Sequence, residues 1–184
     1  SGGTFHVAHT DILKSKETLL AAINHSTHGH ADPALAATLA ARSAPMYEWL
    51  VKLGGKFLRI PTQAYGSPVS APPRPLAQSD DWMNSWQGRG PDLLMRTLTQ
   101  KLTQFGGVLV LGARAQALRM DGERCVGVDA VVGGQMRSFD AGAVVLADGG
   151  FQGNADLVRQ HLSPAPEKVK QRGAGTGIGD GMRM

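Results

Sequence analysis

The sequence Ala-Val-Val-Leu-Ala-Asp-Gly-Gly occupies residues 143–150 and is the strongest indication of the fold. Its first five residues are apolar, a pattern typical of a central strand that is buried on both faces of a parallel sheet. In open sheets of this kind ligands bind beyond the carboxyl ends of the strands, where Asp148, Gly149 and Gly150 are expected. Two glycines would let a ligand approach the backbone closely, because no Cβ fills the space. A plain tight turn explains the same glycines equally well.

The residues before this run predict a helix followed by strands. After Pro91 an apolar stripe recurs at helical spacing until Gly106-Gly107, and it consists of Leu94, Leu98, Leu102 and Phe105. Hydrophobic runs then predict strands at residues 108–111, 115–120, 125–132 and 135–139. Gly133-Gly134 fits a two-residue hairpin loop, which needs positive φ at both positions. We therefore predict a βαβ-like unit with an antiparallel excursion, an α/β fold with α+β character.

The first half of the chain is predicted to be mainly helical. Apolar residues at helical spacing indicate a helix over residues 11–23, with Thr10 as its cap. Asp32-Pro33 predicts the start of a second helix, which Ser43-Ala44-Pro45 interrupts or kinks. Residues 59–88 hold five of the ten prolines and predict a long irregular connection. Connections of that length are usually either functional or disordered.

Composition limits the classes of function. The chain has 184 residues, and 19 basic against 15 acidic side chains give a net charge of +4, with the basic residues scattered singly. Aromatic residues make up 5% and do not alternate with Lys or Arg, so we expect no nucleic-acid partner. Apolar stretches such as residues 143–147 are far shorter than the roughly 18 to 20 residues of a membrane span. With a single cysteine and no leader, a cytoplasmic protein is expected.

A second glycine-rich segment, residues 173–181, has the composition to hold phosphate with backbone N–H groups ahead of a helix that starts near Met182. The spacing Gly-x-Gly-x-x-Gly fails at every start, and no buried strand precedes the segment. The sequence contains no Walker motif either. The segment is therefore a candidate anion site but not a dinucleotide fingerprint.

Other chemistry-bearing residues favour structural interpretations. His25, His28, His30 and Asp32 lie on a polar linker and are candidate metal ligands with irregular spacing. A solvated connection is favoured, and no metal is expected. Cys125 lies in a predicted strand and is expected to be a small core residue. Arg89 precedes a helix start, where a cation is unfavourable, so it faces either solvent or an acidic ligand. Core anchoring is favoured over substrate packing for Trp49, Trp82 and Trp86.

Four motifs, in a fixed order, resemble a known family. They are Gly88-Arg89-Gly90, residues 121–128 in the hairpin, residues 147–154, and Gly179-Asp-Gly-Met-Arg-Met184. With these motifs, residues 88–184 resemble the second half of the flavin-binding domain of the fumarate reductase and succinate dehydrogenase flavoprotein family, and tricarballylate dehydrogenase-like members in particular. Ser1-Gly2-Gly3-Thr4 is similar to the glycine loop that follows the first βαβ unit in that family.

The resemblance implies FAD as cofactor. The residues implied to contact it are Ser1, Gly2, Gly3, Thr4, Ala115, Ala147, Asp148, Gly149, Gly150 and Asp180. The first four would approach the isoalloxazine and ribitol, Ala115 would offer backbone groups to adenine, and Asp180 would lie near the flavin. Residues 147–150 would pass beside the adenosine. The family usually has Thr in place of Asp148 and Asn in place of Thr4. Because a carboxylate beside a diphosphate is repelled, Asp148 is expected to point away or to bind a ribose hydroxyl.

The resemblance also implies a division of the chain. Residues 1–10 and 88–184 would form a partial, Rossmann-like FAD-binding domain, and residues 11–87 a small, mainly helical cap that faces the substrate. The family's dinucleotide fingerprint lies before the glycine loop, and its substrate-binding histidines and proton-transferring arginine lie after the Gly-Asp-Gly helix. The chain is thus expected to be an internal fragment without catalytic residues, which is inactive alone and binds FAD weakly or not at all.

The parent enzyme is expected to transfer a hydride between flavin and a carbon of a small, fumarate-like or tricarballylate-like carboxylic acid. Its electron donor or acceptor is not identified by the sequence. Turnover of a steroid ketone would indicate the ketosteroid dehydrogenase branch instead. Two alternatives from other classes stay open, a non-catalytic module that binds a nucleotide or anion, and a structural domain that binds another protein.

Overall fold

The computed structural model describes residues 3–59, 66–73, 87–171 and 175–184. The chain folds as two compact units, Ser1–Leu109 and Val110–Met184. Both units contain helices and antiparallel strands, so the predicted mixed α/β class is confirmed. No helix in the described ranges combines the length and the low polarity that crossing a bilayer requires.

The described part of the first unit contains three helices and two small sheets. β1 (His6–Val7) pairs with β2 (Thr10–Asp11), and β3 (Phe57–Arg59) pairs with β4 (Pro68–Ser70), both antiparallel. The helices are α1 (Lys16–Ser26), α2 (Pro33–Lys52) and α3 (Gly90–Gln104). A buried apolar cluster joins β1 to the first two helices, and it consists of Val7, Ile12, Leu19, Ile23, Ala36 and Ala40.

α1 begins later than the apolar pattern predicts. Ser15 Oγ accepts a hydrogen bond from Thr18 N at 3.2 Å and caps the helix, which starts at Lys16. The predicted cap, Thr10, lies in β2. The Asp11 carboxylate accepts a backbone N–H two residues later, and such local side-chain bonds compete with helix formation. The predicted start at residue 11 is therefore wrong.

α2 starts where the sequence predicts and continues further. Asp32 Oδ1 accepts the N–H of Leu35 at 2.9 Å, and a proline occupies the first turn. The helix continues through Pro45 to Lys52, so the predicted interruption does not occur. Pro45 removes one backbone donor, and the burial of the α2 face that contains Ala36 and Ala40 offsets that loss.

The second unit is built on a three-stranded antiparallel sheet in the order β5 (Ala113–Asp121), β6 (Arg124–Val132) and β7 (Gln135–Asp140). The turn between β6 and β7 has φ of 58° at Gly133 and 81° at Gly134, which confirms the predicted two-residue hairpin. After the sheet come α4 (Ala155–His161), a short 3₁₀ helix (Pro166–Lys168) and α5 (Asp180–Arg183).

Two predicted strands are absent. Residues 108–111 and 143–147 have no regular secondary structure, and Val108 and Val145 are 81% and 87% exposed. Among the described residues neither segment has a partner in a β-ladder. A parallel strand is stable only when neighbouring strands satisfy its backbone and helices cover its faces. An apolar run alone does not supply those neighbours, so both strand predictions are wrong.

One predicted core anchor also lies at the surface. Trp49 is 54% exposed, because α2 turns its face with the small residues Ala36 and Ala40 toward the core. Trp82 and Trp86, the other predicted anchors, lie outside the described residues. Cys125 is half-buried in β6.

Candidate cofactor-binding site

The N-terminal glycine loop pairs with β4 in the first unit. The Ser70 N–H donates to Gly3 O at 2.8 Å, and the Phe5 N–H donates to Pro68 O at 2.9 Å. Thr4 lies opposite Val69 in an antiparallel bridge. Residues 3–5 thus extend the β3–β4 pair by one short antiparallel segment. Ser1 and Gly2, also predicted to contact the cofactor, lie outside the described residues.

Gly3 is held in a conformation and a space that suit only glycine. Its φ is +78°, and a Cβ at this position would collide with Ser70 Oγ and approach Pro91 Cγ at 2.7 Å. Ser70 Oγ and Ser67 Oγ are fully buried, and neither has a hydrogen-bond partner among the residues that the structure describes. Such orphaned hydroxyls are rare in folded proteins, and that of Ser70 lies next to the loop.

Two glycine-rich loops of the second unit pack backbone against backbone, and we name residues 148–154 and 175–181 together the glycine clasp. The Gly153 N–H donates to Gly177 O at 2.7 Å, and Asn154 Nδ2 donates to Ile178 O at 3.2 Å. A Cβ on Gly153 would lie 2.9 Å from Gly177 O. The clasp therefore needs glycine at residue 153 for contact between its own two loops, not for contact with a ligand.

Within the clasp, Asp148 makes a contact between the two loops, whereas Gly149 makes none through the space beside its Cα. Asp148 Oδ2 accepts the N–H of Gly181 at 2.8 Å, so this carboxylate ties the end of the apolar run to the start of α5. Gly149 has φ of +90°, and a Cβ there would meet no atom within 4 Å. The space beside Gly149 is open. Gly150 is exposed, and a Cβ there would meet the flexible Gln152 side chain.

A cavity of about 300 Å³ lies in the second unit, close to the lower end of the range for ligand pockets. Its lining consists of Arg114, Ala115, Gln116, Asp180, Arg183 and Met184. The structure therefore brings together two residues from the predicted cofactor set, Ala115 and Asp180. Asp148 is linked to them through its bond to Gly181, the residue after Asp180.

The strand beside this cavity is irregular. Ala115 lies opposite Ala130, whereas Ala117 lies opposite Asp129, so Gln116 is an extra residue without a cross-strand partner. Bulges of this type release backbone groups from the ladder and are frequent beside binding sites. The strand irregularity therefore lies at the cavity lining, next to Ala115.

Comparison with known proteins identifies the family. The family described as FAD binding domain matches residues 1–184. The chain belongs to the FAD-binding domain family. No curated protein matches the chain at a significant level.

Two solved structures share the fold of this FAD-binding domain. One is the 3-ketosteroid-Δ4-(5α)-dehydrogenase of Rhodococcus jostii RHA1 in complex with 4-androstene-3,17-dione. Its TM-score is 0.75 at 20% sequence identity, and the match covers 100% of this chain and 44% of that chain. The other is the open conformation of a flavocytochrome c3 fumarate reductase. Its TM-score is 0.71 at 21% sequence identity, and the match covers 100% of this chain and 32% of that chain. The chain therefore spans less than half the length of either protein.

The residues of the FAD-binding domain fit parts of FAD. Adenine needs backbone donors and acceptors, and the irregular part of β5 beside Ala115 lies in the lining of the cavity. The open space beside Gly149 accepts a close approach of a ligand to the backbone. The buried hydroxyl of Ser70 lies beside Gly3 and has no hydrogen-bond partner within the described ranges. These features belong to two units, and each is a local fit.

Two further residues of the site were missed at the sequence level, Arg114 and Arg183, which line the cavity with Asp180. The spacing of three between Asp180 and Arg183 on a helix could have indicated their ion pair, observed at 2.8 Å. No sequence signal could have brought Arg114 to Asp180, because 65 intervening residues must fold first.

The Gly88-Arg89-Gly90 motif lies at the start of α3. The Gly88 N–H donates to Asp92 Oδ2 at 2.9 Å, and Arg96 Nε pairs with the same carboxylate at 3.0 Å. The backbone bond from Gly88 and then the Arg96 side chain hold the pKa of Asp92 below its ordinary value. Arg89 itself is half-buried and makes no capping bond with its side chain.

The structure does not support a metal site at His25, His28, His30 and Asp32. Within the described ranges no three His, Cys, Asp or Glu side chains lie close enough to hold a metal ion. Asp32 instead caps α2.

Proposed function

We propose that the chain is part of an FAD-dependent oxidoreductase that transfers a hydride between flavin and a carbon of a small carboxylic acid, such as a fumarate-like or tricarballylate-like acid. The family match over residues 1–184 is the observation that carries the proposal. The likeness to a flavocytochrome c3 fumarate reductase agrees with it at the level of the fold.

FAD, when bound, supplies the hydride chemistry, and this chain supplies surfaces that orient the cofactor. We propose that Gly3 and Thr4 approach the isoalloxazine and ribitol, together with Ser1 and Gly2. The backbone around Ala115 would bind adenine, and residues 147–150 would pass beside the adenosine. The Asp148 carboxylate is engaged by the Gly181 N–H, which supports the expectation that it turns away from the diphosphate. Asp180 would contact FAD near the flavin.

The division of labour along the chain is also a proposal. Residues 1–10 and 88–184 would contribute to the flavin domain, and residues 11–87 to a cap over the substrate. We propose that the dinucleotide fingerprint and the proton-transferring groups lie in further parts of the parent protein, since the chain spans 44% and 32% of the two structural neighbours. The 184 residues alone would then be catalytically inactive.

A steroid ketone is the second candidate substrate class. It is favoured by one observation, the TM-score of 0.75 with a dehydrogenase whose structure contains 4-androstene-3,17-dione. A non-catalytic module that binds a nucleotide is the alternative outside enzymes, and the cavity beside Ala115 is compatible with it.

The substrate class is tested with the parent protein. Purified protein is supplied with an artificial electron donor and fumarate, or with an artificial acceptor and tricarballylate or a 3-ketosteroid. Turnover of a carboxylic acid without turnover of the steroid is the expected result. Turnover of the steroid alone would move the protein to the ketosteroid branch, and a bound flavin without any turnover would favour the binding module.

A further inference from the structure

The outward face of α2 is unusually apolar for a helix face that is exposed to solvent. Only three of the 20 residues of α2 are charged, namely Arg42, Glu48 and Lys52. Large apolar side chains are exposed along most of its length, and they are Leu35, Leu39, Met46, Trp49 and Val51. A helix that is apolar on all sides is typically covered on all sides, so this face indicates a partner surface.

Pro45 lies at the centre of the exposed face. The buried residues of α2 are Ala36, Ala40, Ser43 and Leu50. With 3.6 residues per turn, Pro45 lies on the opposite side of the helix, and it is exposed. Because proline has no N–H, the Ala41 carbonyl loses the helical donor that residue 45 would otherwise supply. A backbone acceptor without its helical donor thus lies one turn from the centre of this face.

Two opposite charges lie at equal distances from Pro45. Arg42 and Glu48 are each three residues away from it, about 4.5 Å along the helix axis, and both are exposed. Six residues apart, they are not neighbours on one helix and do not pair within α2. In the part of the chain that the structure describes, neither side chain has an ion-pair partner.

An antiparallel second copy of α2 would satisfy both charges. With a two-fold axis at residue 45, reversal of the helix exchanges the levels of Arg42 and Glu48, so each arginine would lie beside the glutamate of the other copy. The symmetry makes this contact twice. The exposed face of α2 is therefore complementary in charge to itself.

The same arrangement would place a large side chain opposite a small one. Trp49 and Ala41 are each four residues from Pro45, so Trp49 of each copy would lie at the level of Ala41 of the other. Large residues that face small ones interdigitate well. The Trp49 indole N–H has no acceptor within the described ranges, and the Ala41 carbonyl that Pro45 leaves without its helical donor is an acceptor at that level.

We propose that α2 is a dimer interface, in which a second copy of this chain packs its own α2 antiparallel to the first, with the two-fold axis at Pro45. Arg42 pairs with Glu48 of the other copy, and Trp49 packs on Ala41 of the other copy. A helix of 20 residues is about 30 Å long and gives a small interface, so the dimer is weak. The proposal goes beyond the proposed function and does not depend on it, because it uses only α2.

Sedimentation velocity of the parent protein and of the 184-residue chain over a range of concentrations measures the dimer. Both should dimerise with a dissociation constant of about 1–100 μM. Arg42→Glu and Glu48→Arg should each raise this constant about tenfold, because each places like charges beside one another in both symmetric contacts. The double variant Arg42→Glu/Glu48→Arg restores opposite charges and should return the constant to within about threefold of its original value.

A disulfide separates the antiparallel arrangement from any other. In a Cys125→Ser background, Pro45→Cys should form a disulfide between two chains, because residue 45 lies on the two-fold axis and meets its own copy. Ala37→Cys, also exposed on α2, should form none, because its two copies would lie about 24 Å apart along the helix axis. Non-reducing electrophoresis measures both. Equal crosslinking of the two variants would overturn the antiparallel pairing.

The matched control lies in the exposed apolar run of the second unit. Val145→Ser removes an exposed apolar side chain outside α2 and should leave the dissociation constant unchanged. Circular dichroism checks that every variant folds. Monomers of both proteins, no restoration by the double variant, or a dimer lost only in Val145→Ser would overturn the α2 interface. A dimeric 184-residue chain with a monomeric parent protein would also overturn it, because another segment of the parent then covers α2.

Discussion

The two units of the chain differ in where they place apolar side chains. Among the described residues, eight of the ten buried hydrophobic side chains belong to the first unit, and the second unit contributes only Ala130 and Val158. In the second unit Val145 and Leu111 are 87% and 79% exposed, although the sequence there is rich in strand-forming residues. The first unit is thus stabilised by a side-chain core, whereas the second depends on its β-ladder and on the glycine clasp.

A leucine-to-alanine pair gives the largest test of this difference. Leu19 is 1% exposed in the first unit, and Leu146 is 46% exposed in the second. Leu19→Ala should lower the free energy of unfolding by about 3 kcal/mol, because it leaves a cavity in a packed cluster. Leu146→Ala should change it by less than about 0.5 kcal/mol. Urea unfolding followed by far-UV circular dichroism measures both, and equal losses would contradict the comparison.

Two glycines of the clasp sharpen the comparison within the second unit. Gly153→Ala should cost about 1–3 kcal/mol, because the new Cβ would lie against Gly177 O. Gly149→Ala meets no atom and should cost about 1 kcal/mol, from the positive φ alone. Thermal unfolding gives the order of the two. A larger loss for Gly149→Ala would show that the clasp is not held by close contact of its backbones.

The Asp148 carboxylate gives a smaller expected effect. Asp148→Ala removes the acceptor of the Gly181 N–H and should lower stability by about 1 kcal/mol, whereas Asp148→Asn keeps an acceptor oxygen and should restore most of it. Hydrogen exchange of the Gly181 amide is the direct readout. Unchanged protection in Asp148→Ala would mean that the bond does not hold the two loops together.

The smallest expected effect is the pH dependence of Asp92 at the start of α3. Its pKa is lowered by the Gly88 N–H and by Arg96, so its contribution to stability is present above the ordinary carboxyl pKa and is lost as the pH falls through the lowered one. Asp92→Asn should therefore flatten the acid side of the stability profile slightly. Carbon NMR titration of the carboxyl group checks the direction, and a pKa at the ordinary value would refute it.

Local signals in the sequence predicted local structure well. Asp32-Pro33 fixed the start of α2 because a capping carboxylate and a proline act within one turn. Gly133-Gly134 predicted the β6–β7 hairpin because few residues tolerate two successive positive φ angles. Residues 143–147 could not be predicted in the same way, because a parallel strand depends on neighbours that the run does not itself encode.

The candidate site also contains residues that the sequence could predict and residues that depend on the tertiary fold. Ala115 and Asp180 were inferred from motifs, and the structure places both in the lining of one cavity. Arg114 lies within reach of Asp180 only through the folding of the sheet, so no spacing rule could find it. The roles of Ser1, Gly2 and the other predicted contacts with FAD stay predictions.

The FAD content of the parent protein and of the 184-residue chain, measured from visible flavin absorption per mole of purified protein, tests the central claim most directly. We expect about one FAD per parent chain, because the family match covers residues 1–184, and far less than one in the isolated chain. A parent protein that cannot be loaded with FAD would contradict the account, and stoichiometric FAD in the 184 residues alone would show that no further phosphate-binding segment is needed.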